Sequence, residues 1–178
     1  MKKLSLALIP TALFLFAACA HTPQPMATTT LAPLGSATAH GHVHFQQQKD
    51  GTVEVTVDLT GLAPNTTHGF HVHDKASCAD FGNAAGGHYN PTNAPHGAPD
   101  AASHHAGDFG NVTSDASGEV HTTFMTHSIT VGGMNDVNGH AVILHANPDD
   151  LTSQPSGNAG PRIACGVVQL MAGEMHHM

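Results

Sequence analysis

Histidine is the residue type whose number and spacing in this sequence point most directly to chemistry. The chain has 17 histidines, but one tyrosine and no tryptophan. In the segment GFHVH, His71 and His73 are two residues apart, so on a β-strand both side chains would lie on one face and could reach one ion. Further candidate ligands follow along the chain: His88, His96, His105, Asp108 and His145. Imidazole suits copper and zinc, and a carboxylate beside three imidazoles suits a four-coordinate zinc ion, so these residues are enough for two metals.

The elements that must position these residues are predicted to be β-strands. Val43 and Phe45 share one face of a period-two pattern, and residues 53–59 repeat the pattern. Residues 49–51, Lys-Asp-Gly, lie between the two runs and are typical of a tight hairpin turn. Similar short runs follow at residues 68–73, 118–126, 140–146 and 164–171. The sequence therefore predicts an all-β fold, an eight-stranded Greek-key β-barrel or sandwich, with two long functional loops at 74–111 and 146–162.

The first 18 residues have the pattern of a signal peptide. Two lysines precede a short apolar run, and small residues precede Cys19. The apolar run is shorter than the roughly 20 residues that a membrane-spanning helix needs. The segment FAAC also resembles the lipobox of bacterial lipoproteins, in which the cysteine becomes lipid-modified and forms the new N-terminus. We expect an exported protein of the periplasm or cell envelope that is anchored in the membrane through a lipid on Cys19, with simple secretion as the alternative.

The rest of the chain divides into three predicted parts. Residues 19–39 are rich in Pro and Thr and are interpreted as a lipidated or flexible linker that holds a folded domain off the membrane. Residues 40–171 form the predicted domain, and residues 172–178 form a Met/His-rich tail. A chain of 178 residues can bury one substantial core, whereas two domains would each be cramped.

Export also bears on the cysteines and on the charge of the mature chain. Cys78 and Cys165 remain as an even pair in an oxidising compartment, which favours a disulfide over two reactive thiols. Removal of the two lysines of the signal peptide takes the formal net charge from -8 to -10. A chain this acidic is not expected to bind nucleic acid.

The histidine motifs, taken in order, resemble those of the Cu,Zn superoxide dismutases, in particular an exported bacterial form. The resemblance runs from Gly41 to Leu170 and rests on GFHVH, GGHYNP, HAGDFGNV, the strand that ends at His145, and GNAGPRIACGVV. It implies dismutation of superoxide to dioxygen and hydrogen peroxide by a redox-cycling copper that is bridged to zinc through a histidine. The implied cofactors are one copper and one zinc per subunit, and the implied substrate is superoxide.

The same resemblance assigns a role to each site residue. Copper would be held by His71, His73, His88 and His145. Zinc would be held by His88, His96, His105 and Asp108. His88 would then bridge the metals and take part in catalysis. Asp149 would hydrogen-bond a ligand histidine of each metal, Arg162 would position the substrate beside the copper, and Cys78 with Cys165 would match the disulfide of the family.

Other histidines are open to two interpretations. His40, His42 and His44 share one face of a predicted strand, and the tail adds His176 and His177. Each cluster is either ordinary exposed surface or a weak binding site for copper. Four further histidines are interpreted as structural: His68, His121, His127 and His140.

An alternative function is an extracytoplasmic copper-binding or storage protein on the same fold. Its sign would be a missing arginine or zinc ligand, and every such position is filled here. A β-sandwich adhesion module would leave the order of the histidines unexplained. The sequence leaves the oligomeric state open, with a homodimer as one option.

Overall fold

The computed structural model describes residues 24–172, which form an antiparallel sheet that is nearly closed into a barrel. Its strands are β1 (Met26–Pro33), β2 (His40–Gln47), β3 (Val53–Thr60), β4 (Thr67–His73), β5 (Asp108–Thr113), β6 (Val120–Thr126), β7 (Ala141–His145), β8 (Arg162–Val167) and β9 (Gln169–Leu170). Within that range the helical structure is limited to one 3₁₀ turn, Asn83–Ala85. The predicted signal peptide, Cys19 and residues 173–178 lie outside the described residues.

The prediction of an eight-stranded all-β barrel is confirmed. Eight strands follow the order β5-β4-β7-β8-β1-β2-β3-β6, and the two-residue β9 is added beside β1. Pairs such as β3 with β6 and β4 with β7 are distant in sequence, as Greek-key connections require. Strands β5 and β6 end the path, and Phe109 of one packs edge-on against Phe124 of the other, with ring centroids 5.4 Å apart.

The alternation of apolar and polar residues in the sequence matches the alternation of buried and partly exposed residues in the sheet. Along β3, Val53, Val55, Val57 and Leu59 are buried while the residues between them are partly exposed. The turn between β2 and β3 is closed by hydrogen bonds between residues 48, 51 and 52, and Gly51 has a φ of 91° that suits glycine. Half-buried strands of this kind stabilise the barrel by removing one apolar face from water.

The prediction of a linker at residues 19–39 is wrong for Met26–Pro33. Met26–Pro33 is strand β1, which pairs with β2 from Met26 to Leu31 and continues along β8. Ala27 and Leu31 are fully buried in the core. The Thr-rich composition resembled a tether, but threonine is β-branched and favours strands, so the folded domain begins well before residue 40.

Each of the two predicted loops follows a strand that bears metal-ligand candidates. The first loop runs from the end of β4 to Asp108, and the second runs from the end of β7 to Arg162. A disulfide between Cys78 and Cys165 ties the first loop to β8, across a sequence separation of 87 residues. The predicted pairing of these cysteines is therefore confirmed. The described residues contain no helix that is both long and apolar enough to cross a bilayer.

Removal of the disulfide should weaken the fold. Because the bond closes a loop of 87 residues, chain-entropy models give a loss of roughly 4 to 5 kcal/mol, and native disulfides typically contribute about 2 to 5 kcal/mol. We expect the double variant Cys78→Ser/Cys165→Ser to lower the free energy of unfolding, measured in urea, by about 2 to 5 kcal/mol. Wild-type protein measured with and without reductant is the control. Equal unfolding midpoints for wild type and the double variant would contradict the prediction.

Candidate metal centre

Two groups of four buried residues bring their ligand atoms within 4.8 Å of one another, and one histidine belongs to both groups. The first group is His71, His73, His88 and His145. The second group is His88, His96, His105 and Asp108. Every residue that the sequence assigned to the copper or the zinc of the main centre lies in one of these groups, and no further cluster with ligand atoms this close occurs among residues 24–172.

The first group is assembled by two neighbouring strands and the first loop. His71 and His73 lie on β4, and His145 is the last residue of β7, which pairs with β4. His88 comes from the loop and forms an isolated β-bridge with His73. The His71 and His88 ring centroids are 4.0 Å apart. The strands thus fix three imidazoles, and the loop lays the fourth against them.

Hydrogen bonds determine which ring nitrogens of the first group are available to an ion. His73 Nδ1 donates to Gly86 O at 2.9 Å, and His145 Nδ1 donates to Gly160 O at 3.1 Å, because a carbonyl can only accept. In the neutral rings each Nε2 then carries a lone pair. The two Nε2 atoms are 3.4 Å apart, so lone pairs face one another across a gap that suits a cation.

The second group converges on one carboxylate oxygen. Asp108 Oδ1 lies 2.6 Å from His88 Nδ1, 3.0 Å from His96 Nδ1 and 3.2 Å from His105 Nδ1. The Nδ1 atoms of His96 and His105 are buried without hydrogen-bond geometry to any partner, although both are close to the oxygen. Three nitrogens and one oxygen directed at one point are the ligand set of a tetrahedral zinc site.

Asp108 is held ionised in this position. Burial opposes ionisation, but hydrogen bonds from the His88 ring and from the backbone N–H groups of His105 and Gly97 outweigh it and hold the pKa of Asp108 well below its usual range. Its carboxylate is therefore negative at neutral pH and ready to bind a cation.

Asp149 connects the two groups from behind. Its Oδ2 accepts a hydrogen bond from His71 Nε2 at 2.7 Å, and its Oδ1 accepts one from His96 Nε2 at 3.0 Å. Because each ring donates from Nε2, the Nδ1 of each is left with its lone pair. Gly157, at a φ of 66°, faces the carboxylate, and a Cβ there would overlap Asp149 Oδ1. Asp149 therefore forms the predicted hydrogen bonds to one histidine of each group.

Burial keeps three imidazoles of the first group neutral, those of His71, His73 and His145. Desolvation lowers the pKa of His145 to about 4 and holds the pKa values of His71 and His73 well below the ordinary value. Neutral imidazole is the form that binds metals. His71 Nδ1 and His88 Nε2 are also buried without a hydrogen-bond partner, which is rare for buried polar atoms. The residues present therefore fit two metal ions better than a metal-free core.

Arg162 lies at the rim of the first group. It is the first residue of β8, opposite His145 in the register, and its guanidinium donates to the carbonyls of Gly82 and Gly86. Gly86 O also accepts from His73 Nδ1, so the guanidinium and the His73 ring share one acceptor. Burial lowers the pKa of Arg162, but a guanidinium remains protonated at neutral pH.

Two amide side chains hold the backbone of the site in place through paired hydrogen bonds. Neither was predicted from the sequence. The side chain of Gln154 donates to His96 O and accepts from His96 N, both at 2.8 Å. The side chain of Asn111 does the same for the backbone of Asp149, at 2.9 Å to its oxygen and 2.7 Å from its nitrogen. Amides have no diagnostic spacing, so only the tertiary structure identifies them. His68, predicted to be structural, bonds through Nδ1 to His145 O at 2.9 Å.

The site thus consists of two buried ligand groups that share a histidine inside a nearly closed antiparallel barrel, and each group could hold a metal ion. The family model described as copper/zinc superoxide dismutase matches residues 39–168. A solved structure described as that of the clock protein EA4 is similar, with a TM-score of 0.75 and 34% sequence identity over 86% of this chain and 99% of that chain. The chain belongs to the copper/zinc superoxide dismutase family.

Proposed function

We propose that this protein dismutes superoxide to dioxygen and hydrogen peroxide at a centre of one copper and one zinc. The observation that carries the proposal is the pair of buried ligand groups that meet at His88, with ring nitrogens left unpartnered on both sides. His71, His73, His88 and His145 would hold copper. His88, His96, His105 and Asp108 would hold zinc. When bound, copper would supply the one-electron chemistry of dismutation, in which one superoxide is oxidised and a second is reduced.

His88 is the residue of this chain that would handle a proton. Its Nδ1 faces Asp108 Oδ1 at 2.6 Å, and its Nε2 lies buried in the first group without a hydrogen-bond partner. A proton held at Nε2 would be passed to the superoxide that is being reduced. A second proton from solvent completes hydrogen peroxide.

Arg162 would bind the anion. A guanidinium presents fixed N–H donors and a permanent positive charge, and charge-assisted hydrogen bonds to anions are stronger than neutral ones. Two of its donors are held by the carbonyls of Gly82 and Gly86, which fixes its orientation beside His73 and His145. This placement would orient superoxide toward the first group.

The second group would mainly hold His88 and the first loop in position. It draws His96 and His105 of that loop onto Asp108, the first residue of β5. Asp149 then joins the same group to His71 on β4. Zinc bound there would keep the bridging ring at a fixed place between the two groups.

Gln154→Ala should weaken the binding of zinc by the second group without unfolding the barrel. The substitution removes two hydrogen bonds of 2.8 Å to the backbone of His96, each with a net contribution of about 0.5 to 1.5 kcal/mol. We expect zinc to be lost to a chelator about 10-fold faster than from wild type. Gln48→Ala, in the distant hairpin after β2, is the matched control. The prediction is wrong if both variants release zinc at the wild-type rate.

Export and a membrane anchor are part of the proposal. The apolar first segment and the FAAC sequence support export with a lipid on Cys19, and an intact disulfide suits an oxidising compartment. A homodimer also stays a proposal. Mass spectrometry of the protein isolated from cell envelopes would detect the lipid and the new N-terminus at Cys19.

The proposed activity is tested by following superoxide decay with purified protein that has been loaded with copper and zinc. We expect decay that is first order in superoxide and first order in enzyme, that is much faster than spontaneous decay and that disappears when the metals are removed. Decay at the spontaneous rate, with both metals bound, would contradict the proposed function and would favour metal storage instead.

A further inference from the structure

We propose that the outer face of the sheet carries a further metal site, for a divalent first-row transition metal ion such as Cu(II). Its ligands are His42 and His44 of β2 and Asp58 of β3, which we call the outer-face cluster. The site lies on the side of the sheet away from the core, and none of its three residues belongs to the two buried groups.

The two histidines have the spacing of a pair that already lies in a ligand group. Val43 and Phe45 of β2 are fully buried, so His42 and His44 point out from the opposite face. Their ring centroids are 6.4 Å apart. The corresponding distance for His71 and His73 of the first buried group is 6.3 Å. A strand thus presents the two rings of each pair at nearly the same separation.

A hydrogen-bond chain prepares His44 for metal binding. The Thr28 hydroxyl donates its proton to Val43 O at 3.2 Å, so toward His44 Nδ1, also at 3.2 Å, the hydroxyl oxygen must accept. His44 therefore carries its proton on Nδ1 and a lone pair on Nε2. Histidine ligands typically donate their other ring N–H to a fixed acceptor in this manner. Thr30 stands beside His42 Nδ1 at 3.1 Å.

Asp58 supplies a carboxylate beside the two rings. It is directly opposite His42 in the pairing of β2 with β3, where side chains on one face lie about 5 Å apart at Cβ. Its Oδ1 bonds to His121 Nδ1 at 2.9 Å, on the far side from His42, while Oδ2 makes no hydrogen bond within the described chain. Two imidazoles and a carboxylate are ligands that suit copper and zinc, and copper binds such sites most tightly.

This cluster differs from the buried groups in one physical respect. Its donor atoms do not already converge within 4.8 Å, and the side chain of Asp58 is 46% exposed. An ion must draw the rings together, which costs side-chain entropy. The outer-face cluster should therefore fill only after the buried groups, and the ion should exchange readily.

The test counts copper bound beyond the buried groups and needs no turnover. The full mature chain, in a background of His21→Ala, His176→Ala and His177→Ala that removes the histidines of the termini, is saturated with copper and zinc and freed of loose metal. It is then dialysed against increasing Cu(II). We expect one additional Cu(II) per chain, with nitrogen hyperfine splitting in its EPR spectrum.

Variants within that background identify the ligands. His44→Ala should weaken binding of the additional Cu(II) by at least about 10-fold, since changes to outer-shell partners alone cost 10- to 100-fold. Asp58→Asn, of similar size, should weaken it as well. His127→Ala, which removes an exposed histidine outside the cluster, should leave the affinity unchanged. The proposal is overturned if the background protein binds no additional Cu(II), or if His44→Ala binds it as tightly as the background protein does.

Discussion

His73→Ala is expected to abolish superoxide dismutation. His73 is 1% exposed, its Nε2 lies 3.4 Å from that of His145, and its Nδ1 is held by Gly86 O. Alanine would remove one of four nitrogens from the first group and leave a buried cavity beside the other three. Copper held by the remaining ligands would be bound more weakly and in another geometry. We expect the rate of superoxide decay to fall to near the spontaneous rate, measured on protein offered both metals.

The matched control is His127→Ala, because His127 is exposed and belongs to neither buried group. It should keep the wild-type rate. Zinc content should be retained in both variants, because His73 is not a member of the second group. Equal losses of activity in the two variants would show that the first group is not the place where superoxide reacts.

Arg162→Ala should lower kcat/KM by about 10- to 100-fold while both metals stay bound, because it removes a charge-assisted hydrogen bond worth roughly 1.5 to 3 kcal/mol. The guanidinium donates to Gly82 O and Gly86 O and lies beside the first group without belonging to it. The loss should therefore come from anion binding and not from missing ligands. Superoxide decay and metal content are measured on the same sample.

Two variants separate local from overall charge. Lys49→Ala lies in the distant hairpin and changes the net charge by the same amount, so it should leave kcat/KM close to wild type. Arg162→Lys keeps the charge but loses the planar fork of donors, and an intermediate rate is expected. If Arg162→Ala matches wild type, superoxide must be guided by a group other than this arginine.

The strands could be predicted from the sequence where their burial alternates. β3 shows this most clearly, because each second residue is apolar and is buried. β1 could not be predicted in the same way, because its buried face carries Thr29 between Ala27 and Leu31, and its run of threonines and its proline resembled a tether. The pairing of β1 with both β2 and β8 is a tertiary feature that no local pattern encodes.

The ligand groups could be predicted because the order and spacing of the histidines resemble a known family. No local pattern in the sequence shows which ring nitrogen each histidine directs toward the centre of its group. That choice depends on acceptors far along the chain, such as Gly160 O for His145 and Asp149 for His71. The clamps by Gln154 and Asn111 depend on how the two loops meet, and were missed for the same reason.

Two different metals that share His88 are the centre of the proposed function, and anomalous diffraction from crystals of the metal-loaded protein tests this most directly. Data collected at the copper and zinc absorption edges should show one copper among His71, His73, His88 and His145. They should show one zinc among His88, His96, His105 and Asp108, with metal–nitrogen distances of about 2.0 to 2.1 Å at the zinc. A single metal peak, or two peaks that are not joined by the His88 ring, would contradict the proposed centre.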